Sequence, residues 1–241
     1  MSDALEIIDA NTWYGPDPQA ADEPSLAALR AVLSAEGVAG ALTFHSAAAM
    51  LNHHEGNRLT REQLADYPEL TPVAVIPYPR CLGPRDVAEA AEAGFKVLRI
   101  ADTREWPLDN AVIAGMLREA ARANLLVMLE LGTRGSVSQL ARAVGGLEVD
   151  VICLRASYHV RSEILWVFRD LPRLYLDMSK MALGGGVEDF VERLGAERFV
   201  YGSGWPVGEM RPRTLMLRNA ELDEPARRLI AAGNIRRLLN R

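Results

Sequence analysis

A carboxylate and a guanidinium occupy equivalent places at the ends of two neighbouring apolar segments. Glu130 closes the run "LLVMLE", and Arg155 closes the run "VICLR". A carboxylate beside a substrate can act as a general base, and a guanidinium can bind a substrate carboxylate through two parallel hydrogen bonds. The two side chains can equally pair with each other as a buried salt bridge. Both interpretations stay open from the sequence.

Other polar or unusual residues stand at the same place, the carboxyl end of an apolar run. The further candidate site residues are Asn11, Trp13, His45, Arg99, Asp177 and Gly204. Asp177 is a candidate acid or base, with a structural role as its alternative, and Arg99 is a second anion-binding group. Asn11 would donate a hydrogen bond to substrate. Trp13, with Trp106 and Trp205 on nearby loops, would form an aromatic wall that binds a flat substrate or simply fills the cavity.

Eight short apolar runs recur along the chain and predict strands buried on both faces. They cover residues 5–13, 38–46, 71–79, 95–102, 125–132, 149–156, 173–180 and 198–206. Apolar residues at three- and four-residue spacing predict helices over 25–37, 84–94, 110–124, 136–147, 162–172, 186–195 and 224–241. This alternation predicts an α/β fold, a (β/α)8 TIM barrel in which residues 1–241 form one domain. A doubly wound open sheet is the alternative, but no Gly-x-Gly-x-x-Gly motif follows the first strand.

In such a barrel the carboxyl ends of all strands form one face, where catalytic residues lie. Two weaker candidates belong to the same face. His53 and His54 are predicted to lie on a loop, where a surface role is favoured over metal binding because no third ligand has a definite spacing. The glycine clusters at 183–186 and 202–204 could bind phosphate through backbone N–H groups, a weak signal on its own.

Composition limits the classes of partner. The net charge of −5 argues against nucleic acid and anionic membranes, since both require a basic face. Cys81 and Cys153 are far apart and fit reduced thiols. The first residues lack the features of a signal peptide, and no apolar stretch reaches the length of about 18 residues that a membrane helix requires. A cytoplasmic protein that binds a small molecule is the expectation.

Several segments together resemble the amidohydrolase-related barrels often labelled amidohydrolase 2. "IIDANTWYG" resembles the Asp-x-His-x-His-x-Gly motif on the first strand of that family. "RLYLDMSK" resembles its seventh strand, and "LGAERFVYGSGWP" with the tail "GNIRRLLN" resembles its C-terminal motifs. The resemblance implies a TIM barrel with hydrolase or decarboxylase chemistry, and it allows self-association as a homo-oligomer.

The metal ligands of that family are replaced in this sequence. The resemblance implies histidines on strands one, five and six and an aspartate on strand eight. Those positions read Asn11 and Trp13, Glu130, Arg155 and Gly204. A fixed guanidinium charge would repel a cation, and one carboxylate does not complete a metal site. We therefore expect no metal and no other cofactor.

The expected function is a metal-independent hydrolase, lyase or isomerase that acts on a small carboxylated organic substrate. Glu130 would be the base and Arg155 the anion-binding group. The alternative is a catalytically inactive homologue that binds a ligand or supports a partner protein, favoured by the loss of nearly every reactive group.

Overall fold

The computed structural model describes residues 5–20, 23–132, 134–156, 158–181 and 186–240. Eight parallel strands form one sheet in the order β1 to β8, which confirms the predicted TIM barrel. The strands are β1 (Ile8–Asp9), β2 (Gly40–Thr43), β3 (Leu70–Pro77), β4 (Val97–Ala101), β5 (Leu126–Glu130), β6 (Val151–Leu154), β7 (Leu174–Asp177) and β8 (Phe199–Val200). Seven lie inside the segments predicted for them, and β3 begins one residue before its segment, at Leu70. The agreement follows because a run of buried β-branched and aliphatic residues fits a strand covered on both faces.

The sheet closes between its first and last strands through main-chain hydrogen bonds just beyond them. The Ala10 N–H donates to the Tyr201 carbonyl at 2.9 Å, and the Gly204 N–H donates to the Asn11 carbonyl at 3.0 Å. We call residues 10–13 and 201–205 the seam. The seam joins β1 to β8 at the carboxyl ends of the strands, the face on which TIM barrels carry their sites.

Helices follow most of the strands and cover the outside of the sheet. They are α1 (Leu26–Glu36), α2 (Ala47–Met50), α3 (His53–Leu64), α4 (Pro84–Glu92), α5 (Ala111–Arg122), α6 (Ser136–Val144), α7 (Arg161–Val167), α8 (Gly186–Leu194), α9 (Met210–Asn219), α10 (Glu224–Arg228) and α11 (Asn234–Leu239). Ser25 caps α1 by accepting the Ala28 N–H, and Gly37 ends it with a φ of 64°. Within the described residues, no helix combines the length and apolar character that a membrane crossing requires.

The prediction of a loop around His53 and His54 is wrong. Both residues belong to the first turn of α3, and Asn52 caps that helix because its side chain accepts the Glu55 N–H. The helix buries only Gly56, Thr60 and Leu64, so its sequence lacks the apolar periodicity that predicts a helix.

Alternate residues of each strand face two different cores. In β5, Leu126 and Met128 pack inside the barrel, whereas Val127 and Leu129 pack between the sheet and the helices. Because side chains alternate along a strand, Glu130 points inward at the open end of the barrel. This alternation decides which residues after each strand reach the mouth.

The C-terminal helices hold β8 in place. A π-helical turn, Leu229–Gly233, separates α10 from α11, and its Ile230 carbonyl accepts the Tyr201 N–H at 2.9 Å. The buried Asn234 amide donates to the carbonyls of Ala196 and Phe199 at 2.8 and 2.7 Å. These bonds satisfy carbonyl groups at the start of β8 that would otherwise be buried without a partner.

Candidate active site

An ion pair between β4 and β5 forms the floor of the barrel mouth. Arg99 Nη2 lies 2.7 Å from Glu130 Oε1, and both side chains are largely buried. Thr103 holds the end of β5, because its hydroxyl donates to the Glu130 carbonyl and accepts the Glu130 N–H. The sequence placed Arg99 and Glu130 in the site but did not predict that they pair with each other.

Two further arginines face the other oxygen of the same carboxylate. Arg104 Nε lies 3.2 Å and Arg155 Nε lies 3.9 Å from Glu130 Oε2. Three guanidinium groups thus lie within 4 Å of one carboxylate, which leaves two positive charges at the floor uncompensated by it. Arg155 is the loosest of the three, so its guanidinium is available to a second anion.

A chain of hydrogen bonds ties β1 to β7 beneath this floor. The Asn11 amide donates to Asp177 Oδ2 at 2.9 Å, and Arg99 Nη1 donates to Asn11 Oδ1 at 3.0 Å. Asp177 Oδ1 accepts the Arg155 N–H at 2.8 Å, which holds Arg155 in a left-handed backbone conformation with a φ of 56°. Asn11 and Asp177 are fully buried, and burial raises the pKa of Asp177. In this structure their contacts position Arg99 and Arg155.

A second buried carboxyl group lies next to this chain. Asp9 Oδ1 accepts the N–H groups of Asn11 and Ser203, whereas Asp9 Oδ2 is buried without a hydrogen-bond partner. Burial raises the pKa of Asp9 to about 7, against the opposing effect of those hydrogen bonds. A carboxyl group with this pKa is mostly protonated below pH about 7.

The mouth opens into a cavity of about 470 Å³ with aromatic walls. The walls are formed by the aromatic residues Trp13, Phe44, Tyr78 and Trp106. The charged residues of the lining include Arg99, Arg104, Glu130 and Arg155. The Trp13 ring stacks on Phe44, and its indole N–H donates to Asp17, so its orientation is fixed. Exposed charges at the rim, including the ion pair of Arg80 with Asp102, also border this cavity. The aromatic walls can pack against the face of a flat ring, and the guanidinium groups at the floor can bind an anion.

A second cavity of about 290 Å³ lies on the other side of Arg155. Lys180, Gly204 and Arg213 line it, and Gly204 has a φ of 74° that favours glycine. The charge of Arg155, together with burial, lowers the pKa of Lys180. Sequence reasoning missed Arg104 and Lys180. Both are cations within five residues of a strand end, and that spacing could have indicated them.

His45 lies apart from the cavity, although it follows β2. Phe44 points into the barrel, so the next side chain points to the opposite face. There His45 Nδ1 accepts the Ala47 N–H, and its ring meets Tyr14 edge to face. Of the glycines considered for phosphate binding, Gly184 and Gly185 lie outside the described part of the chain and Gly186 begins α8. Gly202 and Gly204 belong to the seam.

Solved structures with similar folds include decarboxylases and a candidate amidohydrolase. One is an uncharacterized TIM-barrel protein from Bordetella bronchiseptica, with a TM-score of 0.78 and 17% identity over 98% of this chain and 99% of that one. Another is 2,6-dihydroxybenzoate decarboxylase from Rhizobium, with a TM-score of 0.77 and 11% identity over 98% and 99%. A third is dihydroxybenzoic acid decarboxylase from Polaromonas with bound manganese and 2-nitroresorcinol, with a TM-score of 0.75 and 12% identity over 98% and 97%. The chain has the TIM-barrel fold of these proteins. At such identities the likeness shows the fold alone.

Sequence comparison adds one curated relative. A stretch of 137 residues is 23% identical to 3-hexulose-6-phosphate synthase from Bacillus subtilis. The match covers 56% of this chain, and it spans 63% of the relative, less than two thirds of its length. No family model matches the chain.

Proposed function

We propose that this protein is an enzyme that binds a small carboxylated aromatic compound at the barrel mouth and acts on it by acid–base chemistry of its side chains. The observation that carries the proposal is the cluster of three guanidinium groups around Glu130, beside an aromatic wall. The reaction class is a hydrolysis, a lyase reaction such as decarboxylation, or an isomerisation.

The charge at the floor favours an anionic substrate. Glu130 compensates one of the three guanidinium charges around it, and Arg155 makes the longest contact. A substrate carboxylate that approaches Arg155 gains charge-assisted hydrogen bonds in a partly buried site, where such bonds are stronger than in water.

The walls favour a flat ring attached to that carboxylate. Trp13 and Phe44 border the cavity on one side, and Tyr78 packs edge to face against Trp106 at 5.4 Å. A cavity of about 470 Å³ has the size of a site for one small ligand. Decarboxylases of dihydroxybenzoate share this fold, and their substrates combine a ring with a carboxylate.

The donor groups at the mouth do not fit a divalent cation. The Asn11 amide is held by Arg99 and Asp177, and the Trp13 indole N–H is a donor that cannot ligate a metal. Arg155 brings a fixed positive charge, and among the positions that correspond to the metal ligands of the resembled family only Glu130 carries a carboxylate. We infer that the chemistry at the mouth proceeds without the manganese seen in the Polaromonas decarboxylase.

Substrate binding and proton transfer are assigned to different residues of the mouth. Arg155 binds the substrate carboxylate, and Arg104, which is half exposed, can move with it. When the substrate carboxylate draws these arginines away, Glu130 Oε2 is released to accept or return a proton at the substrate. Arg99 stays on Oε1 and keeps the Glu130 side chain oriented. Asn11 and Asp177 position Arg99 and the Arg155 backbone.

A second candidate function is ligand binding without catalysis. It is favoured by the contacts of Glu130, because both of its oxygens face guanidinium groups in this structure. Guanidinium groups beside both oxygens hinder the approach of a substrate proton to this carboxylate. Turnover assays separate the two candidates, since both predict binding.

The test measures binding of hydroxybenzoates by isothermal titration calorimetry. Arg155→Gln should weaken binding about 10- to 100-fold through loss of charge-assisted hydrogen bonds. The matched control is Arg142→Gln, which removes an exposed arginine paired with Asp109 and should leave affinity unchanged. Equal affinity in Arg155→Gln and wild type would overturn the anion-binding role.

Two further measurements define the reaction and the ligand class. Any turnover found in wild type should be lost in Glu130→Gln while binding persists, and binding without turnover would support the second candidate. A panel that includes a sugar phosphate tests the relationship to 3-hexulose-6-phosphate synthase, and a preference for the phosphate would contradict the carboxylate proposal.

A further inference from the structure

A cluster of potential metal ligands lies between α3 and α4, in a cavity of about 480 Å³ that shares no lining residue with the barrel mouth. His53, His54 and Asp86 each offer one ligand atom, and these three atoms lie within 4.8 Å of one another. The two histidines begin α3, and Asp86 lies in the first turn of α4. The helices thus bring together residues that are 32 positions apart in the sequence.

Asp86 has one oxygen that its structural role does not use. Oδ2 accepts the Leu82 N–H at 2.5 Å and so secures the chain that enters α4. Oδ1 is buried and has no hydrogen-bond partner, and the same is true of His53 Nε2. The Asp86 side chain is 1% exposed and the His53 side chain 11%. Buried polar atoms without a hydrogen-bond partner are costly, which is consistent with a ligand shared by the two.

The separation of these two atoms is that of neighbouring ligands on one ion. His53 Nε2 and Asp86 Oδ1 lie 3.4 Å apart without forming a hydrogen bond. Ligands at about 2.0–2.2 Å from a tetrahedral zinc ion lie roughly 3.4 Å from each other. We propose that His53, His54 and Asp86 bind a divalent transition-metal ion, with Zn²⁺ as the preferred ion.

The surroundings add negative charge beside the three ligands. Glu89 Oε2 lies 3.8 Å from His54 Nδ1, while Glu89 Oε1 accepts a hydrogen bond from Arg85. The described residues that line the cavity include three carboxylates and two guanidinium groups, an excess of one negative charge. Imidazole nitrogens and carboxylate oxygens form a donor set that suits zinc.

An ion at this place would join the two helices. Helix α3 lies against β3, and α4 follows that strand, so the ion would connect consecutive units of the barrel wall. The competing explanation is a direct ion pair between protonated His53 and Asp86, which needs no metal. The two explanations predict opposite results when metal is added.

The test is equilibrium dialysis of the chelator-stripped protein against Zn²⁺, with metal content measured by mass spectrometry. The wild type should retain one Zn²⁺ per chain and gain thermal stability. His54→Ala removes a half-exposed ring and should weaken zinc binding at least about 10-fold. Asp86→Asn should also weaken zinc binding at least about 10-fold. If this substitution disturbs the start of α4, the His54→Ala variant still tests the site.

Two controls locate the ion. His159→Ala removes a different exposed histidine, and Glu130→Gln removes the carboxylate at the barrel mouth. Both should keep wild-type zinc affinity. Failure of wild type to retain zinc would overturn the proposal. Zinc that persists in His54→Ala but disappears in Glu130→Gln would overturn it as well and would place the ion at the mouth.

Discussion

Gly202 lies against the buried groups that support the mouth. A Cβ atom at this position would stand 2.9 Å from Asp177 Oδ2 and 3.3 Å from Asn11 Cβ. Glycine is therefore required by the close approach of the chain to a carboxylate that is already bonded to Asn11.

Gly202→Ala should destabilise the protein by about 1–3 kcal/mol, because the added methyl group forces apart a packed polar network. The free energy of unfolding in urea measures the effect. Gly145→Ala is the matched control, since its Cβ would meet other atoms only at ordinary contact distance. Equal stability of the two variants would show that the network can shift without cost.

Residue by residue, the sequence predicts the site where strand alternation is regular. Glu130 continues the inward positions of Leu126 and Met128, so its place at the mouth follows from the pattern. His45 is a candidate because it ends an apolar run, yet it follows the inward Phe44 and so points the other way. The pairing of Arg99 with Glu130 depends on side-chain rotamers, which no pattern of residue types reveals.

At the scale of elements, apolar periodicity predicted the strands but not every helix. The sequence of α3 is polar, and its inner face is made of Gly56, Thr60 and Leu64. A Cβ on Gly56 would stand 2.1 Å from the Ala48 nitrogen, so α3 lies unusually close to α2. Small residues at a tight contact between helices add no apolar periodicity to the sequence, so the pattern does not predict the helix.

Asn234 connects α11 to the start of β8 through two buried hydrogen bonds. Asn234→Ala should cost about 2–4 kcal/mol, because the carbonyls of Ala196 and Phe199 lose their donor inside the protein. Asn219→Ala is the control, since its exposed amide donates to the Leu215 carbonyl within the same helix. Chemical denaturation measures the free energy of unfolding of both variants. A loss below about 0.5 kcal/mol in Asn234→Ala would mean that another donor replaces the amide.

At the scale of the whole molecule, stability should depend on pH through Asp9. Burial raises its pKa from 3.8 to about 7. Between these values the folded protein keeps a proton that the unfolded chain releases. Protonated Asp9 therefore makes its full contribution to the free energy of unfolding below pH about 4. This contribution is lost as the pH rises to about 7, by at most about 1.4 kcal/mol per pH unit.

Asp9→Asn isolates this effect, because its side-chain oxygen can still accept the N–H groups of Asn11 and Ser203. The free energy of unfolding of the wild type, measured relative to this variant, should fall between pH 4 and 7 and stay constant above that range. A difference that does not change with pH would contradict the raised pKa.

The seam limits which residues of the mouth can be replaced during evolution without loss of stability. Residues 10–13 and 201–205 both close the barrel and supply Asn11 and Gly204 to the site. A replacement there that alters selectivity also loosens the closure. Arg104 and Lys180 lie on loops after β4 and β7, so they can vary at less cost. New substrate preferences in related barrels should therefore arise first in those loops, with the seam left intact.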